Sequence, residues 1–311
     1  MSVLICGSLA YDTIMVFHDR FRNHILPDKV HILNVSFLVP DMRREFGGCA
    51  GNIAFNLKLL GGDPRPMGTV GNDFGPYAEW MDRHGIDRSC IRTLAEAYTA
   101  QAFITTDMDD NQITAFHPGA MNSAHWNRVT DAEGVSIGMV SPDGRQGMID
   151  HANQFFEAGI PFVFDPGQGL PMFNGDDLRA FIDKASWICV NDYELQLMQE
   201  RTGLSPHEMA EQVQALIVTL GGKGSHIYTE NQRIDIPAAR AGQQNDPTGC
   251  GDAYRGGLLY GLEKQLDWET IGRIAALMGA IKIEQYGTQN HHFSMNEFRQ
   301  RYLENFDTDF S

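Results

Sequence analysis

Apolar residues along this chain recur at two spacings, and the alternation between them predicts its architecture. Val3–Cys6 is a short unbroken apolar run ending at Gly7-Ser8, as a buried strand feeding a loop should. From Ala50 to Leu60, AGNIAFNLKLL sets Ile53, Leu57 and Leu60 on one helical face and stops at Gly61-Gly62. Residues 76–85, with Pro76 at the start and Gly85 at the end, predict a second helix. Residues 30–39, VHILNVSFLV, are rich in β-branched residues with partial alternation and predict a strand less buried than the core. The clearest hairpin is TAQAFITT and QITAFHP, two alternating runs on either side of an Asp/Asn-rich turn.

Beyond the hairpin, strand-like runs at GMVS, PFVFD, WICVND and LIVTLG alternate with helical patterns at 145–158, 175–185, 192–202 and 206–215. Two longer helical patterns follow at about 251–263 and 267–285. This alternation predicts an α/β fold, a mainly parallel sheet with helices on both faces and ligands gathered at the carboxyl ends of its strands. No linker, repeat or break in composition interrupts it. Residues 1–311 are therefore expected to form a single domain, with segments at about 13–46 and 97–118 making a small β-sheet lid.

Composition narrows the partners. With 24 basic against 40 acidic side chains the net charge is −16, the wrong sign for a nucleic-acid binder, which needs a basic stripe. Small phosphorylated ligands stay possible, because a few backbone N–H groups and one cation hold them. The five cysteines (Cys6, Cys49, Cys90, Cys189, Cys250) are scattered and never form CxxC, which fits a reducing compartment. MSVLICGSLAYD lacks a basic leader region, and no apolar stretch approaches 18 residues. A cytoplasmic protein without a membrane partner is expected.

The chemistry concentrates in DPTGCGD, Asp246–Asp252. Gly249 and Gly251 allow consecutive N–H groups to point into one concavity, and the helix that begins there adds the positive end of its dipole. Asp252, in the first turn, would face the same concavity and suit a base that takes a proton from an attacking hydroxyl. Alone, the pattern reads equally as a glycine turn before a helix whose dipole Asp252 complements. Other candidates fall away on spacing. Asp107, Asp109 and Asn111 imitate a calcium loop, but Gln112 and Pro118 stand where that loop needs Gly and Glu. GGKGS at 221–225 is not a Walker element, ICGSLA lacks the third glycine of a dinucleotide fingerprint, and the DFG of NDFG has no companion HRD loop.

EFGGCAGNIAFNLKLLGGDPRPMGTVG (residues 45–71) resembles the first signature of the ribokinase (PfkB) family of sugar and nucleoside kinases, and DPTGCGDAYRGG resembles its second, about 200 residues later. The resemblance covers essentially the whole chain and implies the ribokinase-like three-layer α/β/α core with a small β-sheet lid. It implies a role for each matching position. Asp252 would be the catalytic base, and the N–H groups of Gly249, Cys250 and Gly251 an anion hole. Asp12, in GSLAYD, would bind sugar hydroxyls, with Gly48 and Asn52 lining the same site.

Asn191 to Glu194, NDYE, resembles the family's NxxE element, in which Glu194 would hold Mg2+ through water; capping of the helix by Asn191 would leave Glu194 unoccupied. Thr219, Gly221 and Gly224 of TLGGKG would border ATP together with Asn191 and Gly287. Gly287 belongs to GAIKIEQYGTQNH, a segment similar to one that adjoins a potassium (K+) site in some members. His291 and His292 read as surface or packing residues, since no further His or Cys stands at zinc spacing.

The sugar-side segments GSLAYD and GGCAGN hold no cation, which favours an unphosphorylated acceptor. The lid segments are rich in aromatic side chains (Phe17, Phe37, Phe46, Phe103, Phe116), which suit a purine more than a small hexose, although they would equally make a lid core of their own. Phe103 and Phe116 are the candidate base contacts. The lid also resembles those of prokaryotic nucleoside kinases. The expected activity is an ATP-dependent nucleoside kinase acting on the 5′-hydroxyl of adenosine or a related nucleoside. The alternatives are a ribokinase-type sugar kinase for ribose or fructose, and a catalytically silent nucleoside-binding protein. Oligomeric state, monomer or homodimer, is left open by the sequence.

Overall fold

Strand β1 (Ser2–Cys6) is buried at every position and alternates between two cores in the computed structural model, which describes residues 2–25, 34–109, 111–230 and 232–310. Val3 and Ile5 enter one cluster, Leu4 and Cys6 the other. The strand is apolar throughout because a central parallel strand has no face left for water. The remaining strands are β2 (Ala10–Val16), β3 (Asp41–Gly47), β4 (Pro64–Gly71), β5 (Ile91–Leu94), β6 (Ala100–Thr106), β7 (Gln112–His117), β8 (Val135–Val140), β9 (Phe162–Phe164), β10 (Trp187–Asn191), β11 (Ala215–Thr219), β12 (Ser225–Tyr228) and β13 (Arg233–Ile236). The helices are α1 (Cys49–Leu59), α2 (Gly75–Arg83), α3 (Arg145–Glu157), α4 (Gly175–Ile182), α5 (Asp192–Thr202), α6 (Pro206–Ala210), α7 (Cys250–Glu263), α8 (Trp268–Ile283) and α9 (Met295–Phe306).

Nine strands form the large sheet in the order β13-β12-β11-β10-β9-β8-β1-β4-β5, all running one way except β12, which pairs antiparallel with both β11 and β13. One face is covered by α1, α2, α7 and α8 through Ile53, Leu57, Tyr77, Leu258, Leu259, Ile271 and Ala275. The other is covered by α3, α4 and α5 through Met148, Phe155, Leu178 and Met198. The result is the α/β/α sandwich. A second sheet, β3-β2-β6-β7, rises where the chain leaves the carboxyl end of β1. No helix among the described residues is long and apolar enough to cross a membrane.

Two local expectations are corrected. Of the strand expected over 30–39, residues 30–33 lie outside the described residues, and 34–39 form no strand. The apolar signal there has another cause: Phe37 packs its ring on Phe17 and Phe21, at 4.8 and 5.1 Å between centroids. The lid strand begins only at Asp41, in a polar stretch whose pattern is erased because both of its faces meet water. The helix expected over 206–215 stops at Ala210, because β11 takes the chain from Ala215.

Strand β4 defies its composition, with Pro64 and Pro66 beside the central strand. Val3 N–H donates to the Asp63 carbonyl and Gly7 N–H to that of Met67, so odd-numbered residues of β4 bond toward β1. The prolines therefore face the other side, where β5 pairs only from Gly68 onward, and no ladder bond is lost.

Candidate active site

Helix α7 starts where the chain turns through Gly249, at a φ of +78° that only glycine adopts without strain. Cys250 N–H donates to the Pro247 carbonyl at 3.2 Å, whereas the N–H groups of Gly249 and Gly251 have no protein acceptor among the described residues. The hole expected from three N–H groups is therefore built of two in this conformation, since Cys250 closes the turn with its own. Both open donors stand at the positive end of a 14-residue helix, an arrangement that could cradle an anion without a basic side chain. Burial pushes the Cys250 thiol up to about 11, so it stays neutral.

Asp252 lies in the first turn of this helix, half-buried, and its Oδ2 accepts a 2.8 Å hydrogen bond from Asn52 Nδ2 on α1. Asn52 is itself oriented. Gln289 Nε2 donates to Asn52 Oδ1 at 3.0 Å and to the Tyr77 hydroxyl at 2.6 Å, while Trp80 Nε1 donates to Gln289 Oε1 at 2.9 Å. This relay of amides decides that the NH2 end of Asn52 meets the carboxylate. Burial lifts the Asp252 pKa to about 6; the Asn52 hydrogen bond and the Arg255 charge restrain it, and Asp165 and Asp12 add to the rise. A carboxyl so placed is a proton acceptor suited to neutral pH.

One turn further on, Arg255 is paired with Asp165, at 2.5 Å from Nε to Oδ2 and 2.6 Å from Nη2 to Oδ1. Both are almost sealed from water, 6% and 1% exposed. Arg255 Nη2 also stands 3.9 Å from Glu194 Oε2. Helix α5 opens on a capping box in which Glu194 N–H donates to Asn191 Oδ1 at 2.7 Å and Asn191 N–H to Glu194 Oε2 at 2.8 Å. The box thus does occupy Glu194, contrary to the sequence expectation, and leaves Oε1 as the oxygen open to a ligand. No cluster of three or more His, Cys, Asp or Glu side chains able to cage a metal occurs among the described residues. One carboxylate oxygen assisted by water and substrate phosphates is nevertheless the setting magnesium accepts, so the residues present fit Mg2+.

On the opposite wall, β2 delivers Asp12, whose carboxylate lies directly against Gly47 in the space a Cβ would fill. Burial raises Asp12 to about 6, with Glu45 and Asp246 adding their repulsion. Gly48 adopts a φ of +85° just before α1, and a Cβ there would stand 2.5 Å from Ser8 O and 2.6 Å from Ala10 N. Backbone cannot yield as a side chain can, so Gly48→Ala is expected to cost about 3 kcal/mol. Chemical denaturation of the purified variant checks this, and a loss below about 1 kcal/mol would show that the loop adapts.

The lid separates two residues that sequence reasoning placed together. Asp12 is flanked in register by Glu45 and Ala102, and Ala102 by Phe116, so Phe116 shares the Asp12 face. Phe103 is flanked by Thr13 and Ala115 and points to the other face. Both rings are exposed, but they do not line one surface.

Of the residues expected to border ATP, Asn191 and Thr219 are paired neighbours at the carboxyl ends of β10 and β11. Gly221, at φ +56°, borders open space, whereas Gly224, at φ +92°, abuts the backbone of Ile236 and Ala238 and serves the β11–β12 turn. Gly287 N–H donates to Asp246 Oδ2 at 2.9 Å, which draws the C-terminal segment onto the cradle. His291 is buried, with Nε2 bonded to Asn56 Oδ1 at 2.7 Å and its ring edge-on to Phe55. Sequence reasoning missed Gln289, Arg255, Asp165 and Lys282, polar residues whose partners lie far away in the chain and leave no local pattern.

The model of the pfkB family carbohydrate kinases matches residues 10–293 of this chain. A nucleoside kinase of Methanocaldococcus jannaschii is 33% identical over 83% of this chain and 85% of its own. A solved nucleoside kinase of Burkholderia thailandensis in complex with inosine is 53% identical, covers 99% of both chains and superposes with a TM-score of 0.90. A probable fructokinase-4 of Arabidopsis thaliana is 27% identical over 80% of this chain and 84% of its own. With the cradle, the carboxylate and the two-sheet architecture all in place, the chain belongs to the pfkB family of carbohydrate kinases and is a phosphotransferase.

Proposed function

We propose that this protein transfers the γ-phosphate of ATP to the 5′-hydroxyl of a purine nucleoside, with adenosine and inosine as its first candidate substrates. The observation that carries the reading is the meeting of Asn52 and Asp252, 200 residues apart, beside the open N–H groups of α7. The relatives named as nucleoside kinases support the nucleoside, and the Burkholderia relative was solved with inosine and with ADP and inosine.

In this reading Asp12 accepts hydrogen bonds from the ribose hydroxyls and holds the sugar against Gly48. The 5′-hydroxyl then points at Asp252, which takes its proton as the oxygen attacks the γ-phosphorus and the bond from that phosphorus to the bridging oxygen breaks, releasing ADP. The Gly249 and Gly251 N–H groups, reinforced by the α7 dipole, receive the charge of the transferring phosphoryl group. Bound Mg2+, held by Glu194 Oε1 through water, would neutralise charge on the ATP phosphates. Asn191, Thr219 and Gly221 border the ATP itself. Lid closure would keep water from competing with the sugar.

A panel of adenosine, inosine, cytidine, ribose and fructose, each with ATP and magnesium in an ADP-release assay, tests the reading. Turnover of adenosine or inosine is expected, and turnover of the free sugars alone would replace the nucleoside by the sugar-kinase alternative. The lid geometry adds a sharper expectation. Phe116→Ala should raise KM for the nucleoside about tenfold, the worth of one lost stacking contact, while Phe103→Ala leaves it unchanged. Equal effects of the two changes would contradict the assignment of faces.

A further inference from the structure

Lys282, near the end of α8, has no exposed surface and no carboxylate within ion-pair distance among the described residues. A buried ammonium in that condition is rare, because its desolvation is costly unless something replaces the lost water. Here main-chain carbonyls do so. Nζ donates to the Asp246 carbonyl at 2.8 Å and to the Gln285 carbonyl at 3.1 Å. These two oxygens belong to the two segments that make the phosphate cradle, DPTGCGD and the stretch after α8.

Other bonds converge on the same junction. Asn245 and Asp246 donate their N–H groups to the Ile283 carbonyl, at 2.9 and 3.2 Å. The Asp246 carboxylate accepts from Thr248 N–H and Gly287 N–H, both at 2.9 Å. The ammonium therefore sits beneath the turn that aims the Gly249 and Gly251 donors; burial pulls its pKa below the usual lysine value, and the charges of Asp246 and Asp252 oppose that fall.

This bears on the potassium ion that the family resemblance allowed. A monovalent cation in such a place is held by main-chain carbonyls, and here two carbonyls of the junction already receive the Lys282 ammonium. The residues present do not fit an added K+ at that point.

We propose that the Lys282 ammonium is a built-in cation of the phosphate cradle: it positions the anion-hole turn and frees the enzyme from an external monovalent cation. The inference rests on the kinase reading above, and the test separates the two. Activity and thermal unfolding would be measured for the native protein, Lys282→Ala and Lys282→Met, with tetramethylammonium, potassium, ammonium or methylammonium chloride at one ionic strength. The native enzyme is expected to vary less than about twofold among these salts. Lys282→Ala should lose about 10²-fold in kcat in tetramethylammonium, the scale of one misplaced oxyanion donor, with a smaller change in KM for ATP.

Ammonium, methylammonium or potassium should restore at least about tenfold of that activity and raise the unfolding temperature of Lys282→Ala alone. Lys282→Met, which fills the space without charge, should be inactive and unresponsive. Activation of the native enzyme by potassium of more than about fivefold would overturn the proposal. So would a folded Lys282→Met with native kcat, or a folded Lys282→Ala indifferent to every cation in both activity and unfolding. Should neither variant fold, the native enzyme's response to potassium decides: indifference supports the built-in cation, and activation refutes it. A native protein that phosphorylates no nucleoside refutes the kinase reading instead, and the cation-dependent unfolding of Lys282→Ala still reports on the lysine.

Discussion

Asp252→Asn is expected to lower kcat by about 10³-fold while KM for nucleoside and ATP changes less than about threefold. The substitution keeps the shape of the side chain and an oxygen for Asn52 Nδ2, so what it removes is the capacity to take a proton. An ADP-release assay checks it, and near-native turnover would end the assignment of Asp252 as base. The native enzyme should show the matching pH profile. Because Asp252 must be ionised to act as base and Asp12 to hold the ribose, and both stand at about 6, kcat/KM should fall by between about 10- and 100-fold per pH unit well below 6 and level off above it.

The same substitution should make the protein more stable. A carboxyl whose folded pKa is raised binds its proton more tightly in the native than in the unfolded chain. Its ionisation therefore costs stability above pH 6, and the cost disappears as pH falls below the unfolded value of 3.8. The gain from Asn is on the order of 1 kcal/mol at pH 7 once partial exposure is allowed for, shrinking to nothing near pH 4. Thermal melts at the two pH values read it directly. Loss of activity together with gain of stability would mark Asp252 as a group held for chemistry at the expense of the fold.

Arg255→Met is expected to destabilise the protein by about 3–5 kcal/mol, because it leaves the Asp165 carboxylate buried without a partner. Urea unfolding measures this, and a loss under about 1 kcal/mol would show that water reaches Asp165. The double change Arg255→Met with Asp165→Leu should recover most of the loss, since neither charge is then stranded. Activity separates the pair's two effects. Arg255 restrains the pKa values of both Asp252 and Glu194, so the acid limb of the pH profile should move upward in the single variant Arg255→Met, and less in the double variant, which also loses the Asp165 charge that raises them. An unmoved limb would confine Arg255 to a structural part.

Much of the site is legible in the chain because its requirements are local. Gly249 and Gly48 are demanded by backbone conformations with positive φ, and DPTGCGD and GGCAGN show them as glycines beside a helix start. The central strands are legible because burial on both faces writes an unbroken apolar run, and the lid hairpin because an Asp/Asn turn divides two alternating runs. Strand β3 is illegible because neither of its faces is buried deeply enough to impose a period, and β4 because its prolines mimic a loop until the missing ladder partner is seen. Phe103 and Phe116 look equivalent along the chain, yet one step of register turns them to opposite faces.

Fold class, the glycine turns and the placing of an acid beside the proposed phosphate cradle are thus carried by short stretches whose backbone needs admit few alternatives. The electrostatics of the site are not. Arg255 stands in DAYRGGLLYG and Lys282 in GAIKIEQ, where either would pass for a solvated helical charge. Asp165, 90 residues from Arg255, and the Asp246 carbonyl, 36 residues from Lys282, give those cations their meaning only once the chain has folded. Charge interactions in a dry interior depend on distance and on the exclusion of water, and neither quantity is written in the spacing of residues along a chain.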